Sequence, residues 1–145
     1  MAIEGRMATE GDGSINYAMA KAMAAGAYRE LGQLDKSEKY LKEAYLKIAM
    51  AHGEENMACS AILNSMGMLY KKLGKMERSL DAYERSLKVR SELLGEDHPD
   101  SLATRHNLAE LFLAWEKPER AQEYLNTNIA LMEKKTQQQR DAIKE

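Results

Sequence analysis

The stretch LNSMGMLYKKLGKMERSLDAY, which runs from Leu63 to Tyr83, contains two apolar stripes separated by a glycine. Apolar residues recur every three or four positions before Gly74, which places them on one face of a helix. The same spacing resumes at Leu80, after the glycine. Because glycine adopts a left-handed backbone conformation at little cost, it often ends a helix. The stretch therefore predicts two helices joined by a tight turn.

This pattern occurs three times, with a period of 42 residues. The turn segments GQLDKSEKYL, GKMERSLDAY and EKPERAQEYL begin at Gly32, Gly74 and Glu116. Self-similarity at a fixed period is typical of stacked arrays, and signals for β-strands are weak because β-branched residues are few. We predict an all-α fold, an α-α superhelix (solenoid) of three stacked antiparallel helix pairs plus a C-terminal helical tail. The predicted helices span residues 16–31, 34–51, 58–73, 76–94, 99–115 and 118–135.

The two ends of the chain differ from the repeats. Residues Met1–Arg6 contain Ile-Glu-Gly-Arg, which resembles a factor Xa recognition site. We therefore interpret residues 1–15 as an expression scar and flexible lead-in, with order beginning near Asn16. The repeat domain is predicted to span residues 16–135, in units of about 16–57, 58–99 and 100–135. Residues 136–145 are predicted to be a polar helical extension or tail.

Composition narrows the classes of function. Lys and Arg (21) nearly balance Asp and Glu (23), and the net charge is −2. Since neither sign dominates, general binding to nucleic acid or to a membrane surface is disfavoured. The single cysteine, Cys59, cannot form an internal disulfide, so we expect a reducing, cytoplasmic environment. No apolar run approaches the length of a transmembrane helix.

The residues of the second unit resemble the tetratricopeptide repeat family. The family pattern of large, small and aromatic positions occurs as Leu63-x2-Met66-Gly67-x2-Tyr70, followed by Ser79-x3-Tyr83. The 42-residue period and the Gly-Glu-Asp-His-Pro sequence at residues 95–99 are similar to the kinesin light chain subtype, although the first unit has Asn56-Met57 in place of His-Pro. The resemblance implies that the first helix of each pair lines a concave groove, which holds a peptide or helix of a partner protein.

The resemblance also implies which side chains face this groove. They are Met19 and Met23 in the first unit; Asn64, Ser65, Met68, Lys71 and Lys72 in the second; and His106, Asn107 and Glu110 in the third. Asparagine amides can pair with a ligand backbone, and methionines offer an adaptable apolar surface. The alternative for the methionine- and alanine-rich first helix is packing against a neighbouring helix. Of the positions that clamp chaperone C-termini in this family, only Asn107 matches, so that use is disfavoured.

Three other features contain residues that could bind a metal ion or take part in catalysis. The stretch GEDHP, Gly95–Pro99, contains possible metal ligands, but it also fits a joint between helices, with a glycine helix end and a proline helix start. His106 and Glu110 could be two metal ligands or a hydrogen-bonded pair. Cys59 could have a lowered pKa at a helix start or be a small packing residue.

No pattern for a phosphate loop, a carboxylate pair or a catalytic triad accompanies these features. We therefore predict that the chain is not an enzyme and has no cofactor or metal. The predicted function is a non-catalytic interaction module, an adaptor or scaffold, that binds a peptide or helix of a partner protein. The alternative is a structural element whose end faces mediate homo-oligomerisation or docking to further repeats, because no extra helix pair covers the last apolar face.

Overall fold

The computed structural model describes the backbone of residues 2–144 and the side chains of residues 15–144. This part of the chain forms six α-helices and no β-strand. They are α1 (Ala2–Glu30), α2 (Leu34–His52), α3 (Met57–Lys72), α4 (Met76–Leu94), α5 (Pro99–Ala114) and α6 (Pro118–Lys144). The predicted all-α superhelix of three helix pairs is confirmed.

Each pair consists of consecutive helices, α1 with α2, α3 with α4, and α5 with α6. The pairs stack because α2 packs on α3 and α4 packs on α5, while α1, α3 and α5 also contact one another in sequence. The first helices therefore form one layer, and the second helices α2, α4 and α6 form the other. Side chains on α1, α3 and α5 can contribute to one shared surface.

The largest difference from the predicted helices is the start of α1. We expected a flexible lead-in before Asn16, but the backbone is helical from Ala2. Extending an existing helix adds one hydrogen bond for each residue fixed, so the alanine-rich segment after Asn16 can propagate a helix backwards through a polar sequence. At the other end, α6 continues to Lys144, so residues 136–144 extend the last helix. Met1 and Glu145 lie outside the described residues.

The turn within each pair has the same geometry in all three repeats. Gly32, Gly74 and Glu116 have φ angles of 79°, 75° and 59°. The residue after each of them donates its N–H to a carbonyl five residues earlier, over 2.8 Å from Gln33, 2.9 Å from Lys75 and 2.8 Å from Lys117. This is the Schellman motif, which satisfies carbonyls at the helix end and needs one residue in the left-handed region. The third repeat forms it with a glutamate.

Small residues allow the two helices of a pair to approach closely. In the second pair Gly67 faces the ring of Tyr83, and a Cβ atom at Gly67 would lie 2.6 Å from that ring. The Ser79 hydroxyl donates to the Gly67 carbonyl over 2.6 Å, and Ser37 donates to Ala25 over 2.7 Å in the first pair. These buried contacts fix the position of the second helix along the axis of the first.

The hydrophobic core runs along the stack and crosses the boundaries between pairs. One cluster joins Leu41 and Ile48 of α2 to Ile62 and Leu69 of α3, all at most 2% exposed. A second cluster joins Tyr83 of α4 to Leu108 and Leu111 of α5. Each such side chain contributes roughly 1.5–3 kcal/mol by leaving water. Buried side chains of neighbouring pairs therefore share one core across each boundary.

Candidate binding groove

The GEDHP segment forms the joint between α4 and α5. Gly95 ends α4 with a φ angle of 100°, and Pro99 is the first residue of α5. The His98 ring accepts a hydrogen bond from the backbone N–H of Asp100, Nδ1 to N 3.0 Å, and so caps the new helix. Among the described residues, no group of three or more His, Cys, Asp or Glu side chains is placed to hold a metal ion. The histidine has a structural role here.

The equivalent joint between α2 and α3 uses different side chains. Asn56 Oδ1 accepts a hydrogen bond from the N–H of Cys59 over 2.8 Å, and thus caps α3 as His98 caps α5. Cys59 is fully buried. Burial raises the pKa of its thiol, despite the hydrogen bond with Asn56 that opposes this change. A buried thiol that stays protonated is a poor nucleophile, so the interpretation of Cys59 as a packing residue is favoured.

Two predicted groove residues meet between α3 and α5. The Asn107 amide donates from Nδ2 to Oδ1 of Asn64 over 3.0 Å, although the two are 43 residues apart in sequence. The Asn64 amide nitrogen lies 3.9 Å from the sulfur of Met68, one turn further along α3. All three side chains are half-buried. They form a polar patch on the surface of the layer of first helices, and the amide groups of Asn64 and Asn107 are partly exposed to solvent there.

Charged residues continue this surface across all three first helices. Glu110 of α5 accepts from His106 Nε2 at 3.0 Å and lies 3.9 Å from Lys71 Nζ of α3. Lys72 of α3 lies 4.0 Å from Glu30 of α1, which is also 3.4 Å from Arg29. Exposed pairs at such distances contribute little to stability. Their side chains can therefore exchange partners when another charged group arrives.

Within this surface lies a pocket of about 250 Å³. Residues of α1, α3 and α5 line it together with one residue of α4; they are Arg29, Glu30, Met68, Lys71, Lys72, Tyr83, Asn107, Glu110 and Ala114. Five of the predicted groove residues are among them. We call the surface formed by this pocket together with Asn64 and His106 the groove.

Other predicted groove residues lie outside this pocket. Met19 is half-buried and packs against the first core cluster, whereas Met23 on the same helix is 77% exposed. Ser65 is half-buried beside Asn64. The pocket instead includes Arg29 and Glu30, which the family positions did not suggest. Glu30 lies seven residues, or two turns, after Met23, so continuing the helical spacing along α1 could have identified it.

Larger depressions occur on the other layer. One of about 510 Å³ lies between α2, α3 and α4 and is bordered by charged residues of the long helices, including Lys42, Asp81 and Arg85. Arg85 pairs with Asp81 on its own helix at 3.7 Å. If volume alone decided, this depression would be the preferred binding site. The groove is the stronger candidate because it joins residues from all three repeats and contains polar groups aimed at one space.

Sequence patterns missed a buried polar contact in the third repeat. Arg105 of α5 is only 4% exposed and donates to the Glu96 carbonyl over 2.7 Å and to Asn128 Oδ1 of α6 over 3.4 Å. Burial lowers the pKa of the guanidinium group, and the carboxylate of Glu96 opposes this change. Asn128 also donates to the Leu102 carbonyl over 2.8 Å. The two hydrogen bonds of Asn128 join α5 to α6 in the third pair, on the side that faces away from the groove.

The family model for the tetratricopeptide repeat matches residues 17–86 and again 56–134. The chain belongs to the tetratricopeptide repeat family. Mouse nephrocystin-3 is 33% identical over 97 residues, which cover 66% of this chain, and human nephrocystin-3 is 36% identical over 66 residues, which cover 45%. The match spans only 6% of the mouse relative and 5% of the human one.

Solved structures share the fold of this chain. BtubC (BKLC) from P. vanneervenii superposes with a TM-score of 0.76 at 25% identity, over 81% of this chain and 46% of that one. Nearly identical TPR-like repeats assigned to a kinesin light chain of Podosopora anserina superpose with a TM-score of 0.68 at 23% identity, over 81% and 56%. The predicted similarity to repeats of the kinesin light chain type is supported at the level of the fold. No helix in the described part of this repeat chain is long and apolar enough to cross a membrane.

Proposed function

We propose that this tetratricopeptide repeat chain is a non-catalytic interaction module, which holds a peptide segment or helix of a partner protein in the groove. Repeats of this family generally mediate protein–protein interactions. The observation that carries the proposal is the pocket of about 250 Å³, where residues of α1, α3 and α5 meet. A ligand lying across these three helices contacts every repeat at once.

The groove suits a main chain flanked by mixed side chains. Asn64 and Asn107 are bonded to each other, and each amide still has donor or acceptor capacity left for a ligand backbone. Met68 offers an apolar, adaptable contact beside them. Lys72 and Arg29 share the single carboxylate of Glu30, so an acidic group on the partner could replace it.

This function requires no cofactor or metal, and a protein is the proposed partner. Nucleic acid and membrane are not proposed partners, since the net charge is only −2. A cytoplasmic location remains a prediction that rests on the single buried thiol of Cys59.

The proposal is tested by a pull-down from lysate with mass-spectrometric identification. The baits are the native chain, an Asn64→Ala/Asn107→Ala variant, and a Gln122→Ala/Asn126→Ala control. Gln122 and Asn126 also form a hydrogen-bonded amide pair, at 2.8 Å, but they are exposed on α6 outside the groove. We expect a protein that the native chain and the control retain and that the groove variant loses.

Circular dichroism must show equal helix content for the three baits. If all three recover the same proteins, binding to the groove is contradicted. A second readout is a Lys71→Glu/Lys72→Glu variant, which reverses two charges beside the amide pair without removing buried atoms. An unchanged set of captured proteins with this variant also contradicts the proposal.

Assembly through the end faces is a second candidate function. Large apolar side chains are exposed on α1 and α6, the two outer helices of the stack, and just after α1, including Tyr17, Leu31 and Met132. These positions lie outside the groove, so assembly and partner binding are compatible.

A further inference from the structure

The exposed face of α1 corresponds to surfaces that are buried elsewhere in the chain. Tyr17, Ala20 and Ala27 are exposed. A shift by one repeat of 42 residues maps them onto Cys59, Ile62 and Leu69 of α3, which are all 0% exposed because α2 covers them. A second shift maps them onto Ser101, Thr104 and Leu111 of α5, which are also 0% exposed. The exposed face of α1 is thus equivalent to the surface of α3 that α2 covers and to the surface of α5 that α4 covers.

The exposed face of α6 is the counterpart of this surface. Ile129 and Met132 are 50% and 54% exposed. The equivalent residues of α2 are Tyr45 and Ile48, which pack in the core cluster that contains Ile62 of α3. The equivalent residues of α4 are Leu87 and Arg90, of which Leu87 packs with the cluster of Leu108 and Leu111, and Arg90 donates to Thr104 of α5 over 2.8 Å.

At one pair of positions the two faces match in size, and neither residue is charged. If α6 of one copy covers α1 of another as α2 covers α3, Met132 meets Ala20 where Ile48 meets Ile62. The long, flexible methionine side chain compensates for the small alanine. In the α4–α5 junction, Arg90 is paired with the polar Thr104. At the ends of the stack both of these positions are apolar, so the contact buries no charge there.

We propose that the chain self-associates head to tail, with α6 of one copy packed against α1 of the next and the 42-residue stacking continued across the contact. The occupant of each end face is a second copy of this chain. Such a contact joins two different surfaces, so each copy keeps one free end and the assembly grows beyond a dimer. The proposal is independent of ligand binding in the groove.

The test uses sedimentation velocity and light scattering over a protein concentration range from micromolar to millimolar. Ala27→Glu places a charge in the centre of the α1 face, and Ile129→Glu does so on the α6 face. Both sites are exposed in the single chain, so folding should survive, and circular dichroism checks it. The control is Leu46→Glu, since Leu46 is 60% exposed on α2 and away from both faces.

The native chain and the control should exceed twice the 16.4 kDa mass of one chain as concentration rises. Each face variant alone should stay at the mass of one chain. An equal mixture of the two should reach the mass of two chains and no more, because only one intact contact can form. Ala20→Glu and Met132→Glu are replacements at the same faces if a first variant fails to fold.

Three results would overturn the proposal. The native chain could stay at the mass of one chain throughout, in which case the faces belong to another occupant, such as further repeats or a different protein. Alternatively, Ala27→Glu alone could form dimers, which would indicate a symmetric α6–α6 contact. Finally, the mixture of the two face variants could stay monomeric.

Discussion

The second and third helix pairs have the same architecture but are built from different residues. In the second pair, Gly67 faces Tyr83, and Gly74 makes the turn. The equivalent residues in the third pair are Ala109, Leu125 and Glu116. A smaller residue on the first helix is thus accompanied by a larger one on the second. The volume shared between the helices is maintained, and the identity of each residue depends on its partner.

The two pairs also differ in the chemistry of their buried positions. Leu63 of the second pair is replaced by Arg105 in the third, and Ser86 is replaced by Asn128. Ser86 donates to the Ser60 carbonyl over 2.7 Å, and Asn128 donates to the equivalent Leu102 carbonyl over 2.8 Å. One hydrogen bond between the helices is therefore kept, while its donor changes together with its buried neighbour.

The largest expected effect comes from Gly67→Ala. The new methyl group would lie 2.6 Å from the buried Tyr83 ring, so the helices must separate, and overpacking of this kind costs about 1–3 kcal/mol in the free energy of unfolding. Urea denaturation followed by circular dichroism measures the change. Gly67→Ala/Tyr83→Leu, which copies the third pair, should recover most of the loss.

The matched control for this change is Gly26→Ala. Nothing lies within 4 Å of a Cβ atom at Gly26, so replacing this helical glycine should stabilise the chain by up to about 1 kcal/mol. If both glycine substitutions stabilised the chain, the close contact between Gly67 and Tyr83 would be refuted.

Arg105→Leu should have the next largest effect. It gives the third pair the leucine of the second but leaves Asn128 Oδ1 and the Glu96 carbonyl without the donor that Arg105 supplies, at a cost of about 1–3 kcal/mol in the free energy of unfolding. Adding Asn128→Ser should reduce the cost, because a serine there can donate to Leu102 as Ser86 donates to Ser60. A double variant less stable than Arg105→Leu, measured by urea denaturation, would show that the two pairs are not interchangeable in this way.

The turns should respond in opposite directions to substitution. Glu116 holds a φ angle of 59°, a conformation that costs a non-glycine residue about 1–2 kcal/mol. Glu116→Gly should therefore raise the melting temperature, and Gly74→Ala should lower it. Glu116→Ala removes the charge but not the strain, so it should leave the melting temperature nearly unchanged. A similar gain from Glu116→Ala and Glu116→Gly would instead attribute the effect to the glutamate charge.

The smallest effect is expected between Asn64 and Asn107. Replacing either one by alanine leaves the other half-buried amide without its partner, whereas replacing both removes the unsatisfied group, so a coupling of about 0.5–1.5 kcal/mol is expected. A double-mutant cycle of urea denaturation curves measures this coupling. Strict additivity of the two changes would contradict the hydrogen bond across the repeats.

The fold could be predicted because the sequence pattern that specifies it repeats along the chain. The 42-residue period and the helical spacing around Gly74 were enough to place six helices, and the main error was the start of α1, expected at Asn16 instead of Ala2. The buried Arg105 could not be predicted, because hydrophobic periodicity treats a charged residue as exposed. The left-handed conformation of Glu116 has no signature in the residue type, and only the alignment with Gly32 and Gly74 indicates it.

The groove could be predicted only in part. Most of the family positions on α3 and α5 lie together around the pocket, but those on α1 do not, and the prediction that they bind a partner is still open. Met19 packs into the core because an amphipathic helix has no sharp edge between its buried face and its groove face. Glu30 continues the helical spacing along α1, whereas the contribution of Arg29 depends on the direction of the helix axes, which a single sequence does not specify.

The central claim is that the first helices of all three repeats form one binding surface. NMR chemical-shift mapping tests it most directly, with the ¹⁵N-labelled chain titrated with the tightest binder selected from a displayed peptide library. The account predicts that the largest shifts fall on α1, α3 and α5, at Glu30, Lys72 and Asn107, and are absent from the outer sides of α2 and α4. Shifts concentrated on α2 and α4, around the depression bordered by Lys42 and Arg85, would contradict it.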